Sequence, residues 1–444
     1  MNAMHRLACL PLLAGLLFAA PAAAAPPADP LDHLWPVAVA RDGFTAQRSE
    51  YLLAGFDPFK LTRAGNQALY SYLNMPAFFP HHLVAAQGEI TTLPPRPRTG
   101  AHLLSLRVEA AQGTLSLTEL LGDPQSRVQG LLILHRGQVV MERYPGMRRE
   151  DSHLWWSVAK LLAGTIVAGL LDEGAIDGDR DIVAYLPEFA GSGWEGASVE
   201  HVLNMASGID ALDSAAGYAD PDSGIGRLIY AEGILQRSDG VEAVGHDRAL
   251  QLMTSARPPG TRYEYASPNT NMLALLIERV TGRRYADVVQ QRIWSRIGAE
   301  GDGLLGLSPD GRPIAHGMYS SRLRDLARFG LLFTPSGQRA DVLSKRALAR
   351  MTDPDQNAHF RTATAAIDHL YAKLGERPVN ALAQWDAIFA DGDLFKSGYD
   401  GQALYVSPQQ DLVIAVFSTS KDKRIYRYLR PLAAAVAAEA DRRP

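Results

Sequence analysis

The sequence predicts an α+β fold: one antiparallel sheet completed by both ends of the chain, flanked by helices, with a mainly helical subdomain inserted between its halves. Three observations carry this expectation. A β-hairpin reads out of residues 130–144, a second strand pair reads out of residues 402–417, and the stretch between them, 176–300 above all, follows helical punctuation.

In the hairpin, Gly130 to Leu134 is a short apolar run, Arg136-Gly137 supplies the turn, and Gln138 to Tyr144 returns through Val139, Val140 and Met141. A helix follows from Ser157 to near Gly174, and its stretch Leu161 to Leu171 is apolar enough to mark a buried helix. Further on, Ser198 caps a helix that runs to Met205 and another spans Asp247 to Thr254; Asn269 to Thr281 and Tyr285 to Ile297 are closed by Gly282 and Gly298. Beyond residue 300 come a strand-like piece at Gly303 to Gly306 and helices near Ser320 to Phe333 and Ser344 to Met351. Strands at Gln402 to Val406 and Leu412 to Phe417 flank a turn at Ser407 to Asp411, and a last helix spans Tyr426 to Ala438.

Three segments follow from this reading: a leader at 1–25, an extension at 26–125 and a main body at 126–440. The leader has a short basic start, an apolar stretch from Leu7 to about Ala20, and Ala22-Ala23-Ala24-Ala25 before Pro26. That layout is a cleavable secretory signal, too short to span a membrane, so the expected location is periplasmic or secreted. The extension is Pro-rich and irregular by pattern, with a break at Leu93 to Pro97. Its aromatics, Tyr51, Phe56, Phe59, Tyr70, Tyr72, Phe78 and Phe79, argue that it packs on the main body, because disordered segments are poor in such residues.

Composition narrows the function. A formal charge of −4 with no basic stripe gives no electrostatic case for nucleic acid or an anionic membrane surface. The single cysteine, Cys9, lies in the leader, so the mature chain has neither a disulfide nor a thiol nucleophile. No later segment offers about 18 unbroken apolar residues, so no membrane span is expected after cleavage. The expected partner is a small-molecule or short peptide-like substrate.

The chemistry concentrates at Ser157-Val158-Ala159-Lys160. A serine three residues ahead of a lysine on a helix places hydroxyl and amine one turn apart on one face, where the amine can take the hydroxyl proton. At the start of that helix, unpaired N–H groups and the helix dipole favour a developing negative charge. The same spacing occurs at Ser418 to Lys421 and Ser420 to Lys423, which read as a solvated loop after a strand; only Ser157 opens a long apolar helix. Lysine usage sharpens the choice. Among 44 Lys and Arg, only seven are lysines, at 60, 160, 345, 373, 396, 421 and 423. The chain solvates positive charge mostly with Arg, which cannot serve as a general base, whereas a buried lysine can.

Two further segments belong with it. Pro258 to Asn269 is a turn-rich run that presents Tyr265 and Ser267 just ahead of a helix, a placement suited to a cleft wall; alone, Tyr263 and Tyr265 would read as packing residues. Lys396-Ser397-Gly398-Tyr399 leads into a strand, where the glycine lets backbone approach a substrate and an N–H can face an oxyanion. There is no Gly-x-Ser-x-Gly elbow, no His-Glu-x-x-His and no glycine loop for phosphate, so neither a metal nor a cofactor is called for. His81 and His82 read as surface or packing residues, and Ser238-Asp239-Gly240 as a polar loop.

In this order the three segments resemble the motifs of the serine β-lactamase and penicillin-binding-protein superfamily, most of all its class C-like branch of esterases, D-aminopeptidases and 6-aminohexanoate-oligomer hydrolases. The resemblance runs over roughly residues 128–440 and includes Leu186-Pro187-Glu188, Leu203 to Gly208 and Asp325 to Gly330. It implies a β-lactamase-like fold and acyl transfer, with Ser157 as nucleophile, Lys160 as its partner base and Tyr265 as general base for acylation and acid toward the leaving group. It also implies that Lys396, Ser397 and Gly398 form the third motif, with the backbone N–H groups of Ser157 and Tyr399 as oxyanion hole. Two features depart from the lactamases: the run from Lys396 to Gly401 is shorter, and Ser267 stands where they carry asparagine. A serine hydroxyl cannot reproduce the paired donor and acceptor of an amide, so the expected substrate is an amide or ester of a small molecule or short oligomer rather than a β-lactam. The alternatives are a β-lactamase or D,D-peptidase and a non-catalytic envelope-binding protein of the same fold.

Overall fold

The computed structural model describes residues 34–441 apart from 57–60, 62–64, 97–99, 111–112, 124–125, 236–241 and 354–358. The leader, Phe59 and the Ser238-Asp239-Gly240 loop therefore lie outside the described residues. The strands in chain order are β1 (His81–Val84), β2 (Arg107–Ala110), β3 (Gly113–Ser116), β4 (Val128–His135), β5 (Gln138–Arg143) and β6 (His153–Leu154). They continue with β7 (Gly303–Gly306), β8 (Tyr319–Ser321), β9 (Ala387–Ile388), β10 (Leu394–Ser397), β11 (Ala403–Ser407) and β12 (Leu412–Ser418).

Six of these form the main antiparallel sheet in the order β5-β4-β12-β11-β10-β9, so the two ends of the main body meet where β4 pairs with β12. Alternation along these strands sorts the interior into two cores. Leu132, Leu134, Val413, Ala415 and Phe417 face one side, together with the helix Lys160–Asp172 and the helical middle of the chain. Leu131, Ile133, Ile414 and Val416 face the other, against Tyr428, Leu429, Leu432 and Val436 of the C-terminal helix Tyr426–Asp441. The same two-residue period puts Lys396 on the face of Leu394, toward the helix that begins at Lys160.

Several expectations need correction. The sheet is not single: β1, β7, β8 and β6 form a second, four-stranded antiparallel sheet, and β2-β3 is a separate hairpin. The extension is not irregular, since it holds helices at Ala46–Ala54 and Asn66–Ser71 and supplies the edge strand β1. Its aromatics interlock, with Phe56 stacked on Phe78 at 4.0 Å and Tyr72 set edge-on to Trp156 of the main body at 5.6 Å. Ser157 does not open the α-helix; it sits in a 3-10 turn, Trp156–Ala159, that runs into Lys160–Asp172. The short strands β9 and β10 and the helix Thr364–Leu374 are additions, and β10 is hidden in the sequence because Leu-Phe-Lys-Ser puts a charge on a core-facing position.

A buried ionic knot holds the extension to the main body. Arg328, on the helix Leu323–Leu331, donates to Asp325 at 2.9 Å and Glu300 at 2.6 Å, and its remaining N–H groups reach the Thr91 carbonyl at 2.7 and 2.9 Å. Burial raises the Asp325 carboxyl, and the guanidinium works against that rise. Arg328→Met is expected to cost about 3–5 kcal/mol because it strands Asp325 away from water, with part of the loss recovered in Arg328→Met/Asp325→Leu. Urea denaturation measures both; a single-variant loss below about 1 kcal/mol would refute this account.

Candidate active site

Trp156 enters the 3-10 turn with φ +47°, a left-handed conformation that a bulky residue rarely adopts. Such a conformation costs about 1–3 kcal/mol and persists only where the surroundings fix it. Here the ring is held between Tyr72 and Tyr399, 5.6 and 5.4 Å away. The bend delivers Ser157 to the cleft mouth and turns the chain into the helix, so that Lys160 lies one turn on with its Nζ 3.0 Å from Ser157 Oγ.

Lys160 is fully buried, and its amine meets two other acceptors: Ser267 Oγ at 2.9 Å and the His316 carbonyl at 2.7 Å. The direction of each bond is fixed by what lies behind it. Asp213 accepts from the Ser267 N–H at 2.7 Å and from its Oγ–H at 2.6 Å. Ser267 has one hydroxyl proton and gives it to a carboxylate that can only accept, so toward Lys160 it is an acceptor. A neutral amine has two N–H bonds and one lone pair. Ser267 and His316 take the N–H bonds, and the lone pair is left aimed at Ser157 Oγ. Burial, partly opposed by Asp213 and reinforced by Lys396, lowers Lys160 to about 7.

The His316 carbonyl is itself anchored. Its ring shares a 2.8 Å bond with Glu232, and Asn271 donates to Glu232 at 2.6 Å while accepting from the His316 N–H at 3.3 Å.

Tyr265 comes from the turn before the helix Pro268–Thr281, and its ring lies between two amines, 5.2 Å from Lys160 Nζ and 4.8 Å from Lys396 Nζ. Its hydroxyl is 3.4 Å from Lys396 Nζ. Burial, with Asp386 and Asp213 nearby, raises the phenol well above its ordinary value, with a hydrogen bond to Ser157 pulling the other way. The neighbouring Tyr263 instead packs edge-on against Phe360 at 5.1 Å.

Lys396 is buried on β10 and pairs with Asp386 at 2.6 Å, while Asp386 also accepts from the Ser397 N–H at 2.8 Å and Oγ–H at 2.6 Å. Lys396 and Asp386 neutralise each other. Gly398 is required by space: a Cβ there would lie 2.6 Å from the Trp155 carbonyl and 2.7 Å from Gln402 Cβ. Ser157, Ser267, Ser397, Gly398 and Tyr399 therefore share one cleft with Tyr265, about 890 Å³ in volume.

The structure thus brings together every residue singled out from the three segments. Sequence reasoning missed His316 and Asp386, which bond to the buried lysines directly, and Asp213, which acts on Lys160 through Ser267. A buried amine requires such partners, but nothing in the spacing shows where they lie. The Ser418 to Lys421 stretch is not a solvated loop as expected: Ser418, Thr419 and Ser420 are buried, and Ser418 bonds to the Arg127 carbonyl and to Gln402.

The fold is of the β-lactamase-like class, and its cleft sets a serine and a lysine on one helical turn facing a tyrosine. The sequence model of the β-lactamase family matches residues 116–438, and the chain belongs to that family. It is 31% identical over 327 residues to a 6-aminohexanoate-dimer hydrolase of Paenarthrobacter ureafaciens, covering 69% of this chain and 78% of the relative. It is 25% identical over 329 residues to penicillin-binding protein 4 of Amycolatopsis lactamdurans, covering 67% and 78%. Among solved structures, a Bacillus anthracis protein described as a 6-aminohexanoate-dimer hydrolase superposes with a TM-score of 0.71 at 24% identity, over 88% of this chain and 98% of that one.

Asp213→Ala frees the Ser267 hydroxyl to donate to Lys160, turning the lone pair away from Ser157, and removes a charge that holds the Lys160 proton. Labelling of Ser157 by a fluorophosphonate is expected to slow about ten- to a hundredfold, with its pH midpoint moving down. An unchanged rate and midpoint would rule out this bonding pattern.

Proposed function

We propose that the protein is an exported serine hydrolase that cleaves an amide or ester bond of a small molecule or short oligomer through an acyl-enzyme on Ser157. The observation that carries this is the fixed bonding of Lys160, whose only uncommitted direction points at Ser157 Oγ. The 31% identity to a 6-aminohexanoate-dimer hydrolase supports the amide-cleaving, short-oligomer side of the reading. Export rests on the leader-like pattern of residues 1–25.

In the first half-reaction Ser157 Oγ attacks the carbonyl carbon while its proton passes to Lys160 Nζ. Negative charge gathers on the carbonyl oxygen, and the family resemblance assigns the N–H groups of Ser157 and Tyr399 to receive it. As the carbon–nitrogen or carbon–oxygen bond breaks, the leaving group takes the Tyr265 proton, and the Lys160 ammonium replaces it. In the second half-reaction water attacks the acyl-enzyme, its proton going to Lys160, and Ser157 recovers a proton as the acid leaves. The base is assigned to Lys160 rather than to a tyrosinate. An amine lowered to about 7 is half neutral at neutral pH, whereas a phenol raised well above its usual value stays protonated and serves as the acid.

A β-lactamase or D,D-peptidase is the second reading, favoured by the penicillin-binding relative. Ser267 weighs against it, because its hydroxyl is already committed to Asp213 and Lys160 and is not available to a substrate amide.

The deciding experiment assays p-nitrophenyl esters, a 6-aminohexanoate dimer and a chromogenic cephalosporin with the wild type and Ser157→Ala. Ester and dimer turnover is expected only in the wild type, and faster cephalosporin turnover would reverse the ranking. Because Lys160 must be neutral to act, kcat/KM is expected to rise about tenfold per pH unit below 7 and to level off above it. A profile flat from pH 5 to 8 would remove Lys160 as the base.

A further inference from the structure

Besides Lys160 and Lys396, two more of the seven lysines in the chain converge on the cleft. The helix Thr364–Leu374 turns one face inward, so Ala366, His369, Leu370 and Lys373 follow one another along the cleft wall at helical spacing. Lys423 joins them from the segment after β12, with its ammonium 5.9 Å from the centre of the Tyr399 ring. The two lysines act on their neighbours: burial and then Lys423 pull Lys373 down to about 8, burial followed by Lys373 and Lys423 lowers His369, and burial lowers Lys423 itself. A chain that writes nearly all its surface cations as Arg has placed like charges side by side on a cleft wall.

Carboxylates farther off offset this only in part: Asp386 acts on both lysines and Asp400 on Lys423. Among the described residues neither Lys373 nor Lys423 has a carboxylate within ion-pair distance. The nearby acids are committed elsewhere: Asp386 is taken up by Lys396 and Ser397, and Asp400 accepts from Tyr72 at 2.8 Å. The third-motif lysine, buried against its own carboxylate, offers no free charge to a substrate. Positive charge reaches the cleft from Lys373 and Lys423 instead.

We propose that Lys373, Lys423 and His369 form a receptor for a carboxylate on the substrate, so that the natural substrate is an amide or ester carrying a free carboxylate beside the bond that is cut. An anion there would relieve the mutual repulsion and meet charge-assisted donors in a partly desolvated setting. This deepens the serine-hydrolase reading and rests on it.

The test compares two pairs of esters in the full-length protein, each normalised to its alkaline hydrolysis rate. In one pair, p-nitrophenyl hexanoate and the p-nitrophenyl half-ester of adipic acid, the carboxylate is on the acyl side. In the other, phenyl hexanoate and 4-carboxyphenyl hexanoate, it is on the leaving side. In one pair the carboxylate-bearing ester is expected to be favoured about tenfold in kcat/KM. That ratio is expected to fall to near one in Lys373→Ala/Lys423→Ala and to persist in Lys345→Ala, an exposed lysine on another helix. No preference in either pair, or one that survives the double variant, overturns the proposal. Should no ester be turned over, the hydrolase reading falls, and the receptor is judged by calorimetric binding of glutarate to the wild type. Binding lost in the double variant supports the receptor, and absence of binding overturns it.

Discussion

Burying the amine of Lys160 requires that each of its N–H bonds end on an acceptor, because a polar group taken out of water unpartnered loses on the order of several kcal/mol. The rest of the site follows from meeting that demand with groups that cannot change their minds. A carbonyl can only accept, and a serine whose proton belongs to a carboxylate can only accept. Desolvation then makes the ammonium form unfavourable, so the residue that geometry aims at Ser157 is also the one whose proton is held loosely. The two properties have a common origin in the removal of water.

Lys396 shows what the same burial does when the partner is a carboxylate. Asp386 sits against it and turns the pair into a neutral fixture, from which Ser397 and the backbone of β10 are positioned. Tyr265 lies between the two lysines, and its phenol is raised by burial and then by the carboxylates of Asp386 and Asp213. The two lysines are buried alike and differ in their neighbours, hydroxyl and carbonyl oxygens for one and a carboxylate for the other.

Much of this was legible in the chain. The hairpin at 130–144, the strands near 402–417 and the helix behind Ser157 announce themselves by period and punctuation, and Ser157, Lys160 and Tyr265 by residue type and order. What could not be read depends on contacts between distant segments. Asp213 and His316 reach Lys160 from 53 and 156 positions away, and no periodicity encodes that. The strand β1 was hidden because His81-His82-Leu83-Val84 has only one buried position, Val84, and so lacks an apolar alternation. Trp156 broke the expected helix start because its left-handed backbone is held by neighbours from two distant parts of the chain, Tyr72 and Tyr399, against its own preference.

Tyr72 links the extension to the chemistry. It lies outside the segment matched by the family, yet its hydroxyl donates to Asp400, the residue after Tyr399, and its ring supports Trp156, the residue before Ser157. Both residues it braces adopt left-handed backbone, Trp156 at φ +47° and Asp400 at φ +56°. The backbone beside Ser157 and the backbone beside Tyr399 are thus braced by one side chain that lies outside the matched segment. Transplanting residues 116–438 onto another lead segment would carry over the serine, the lysines and the tyrosine and leave this brace behind.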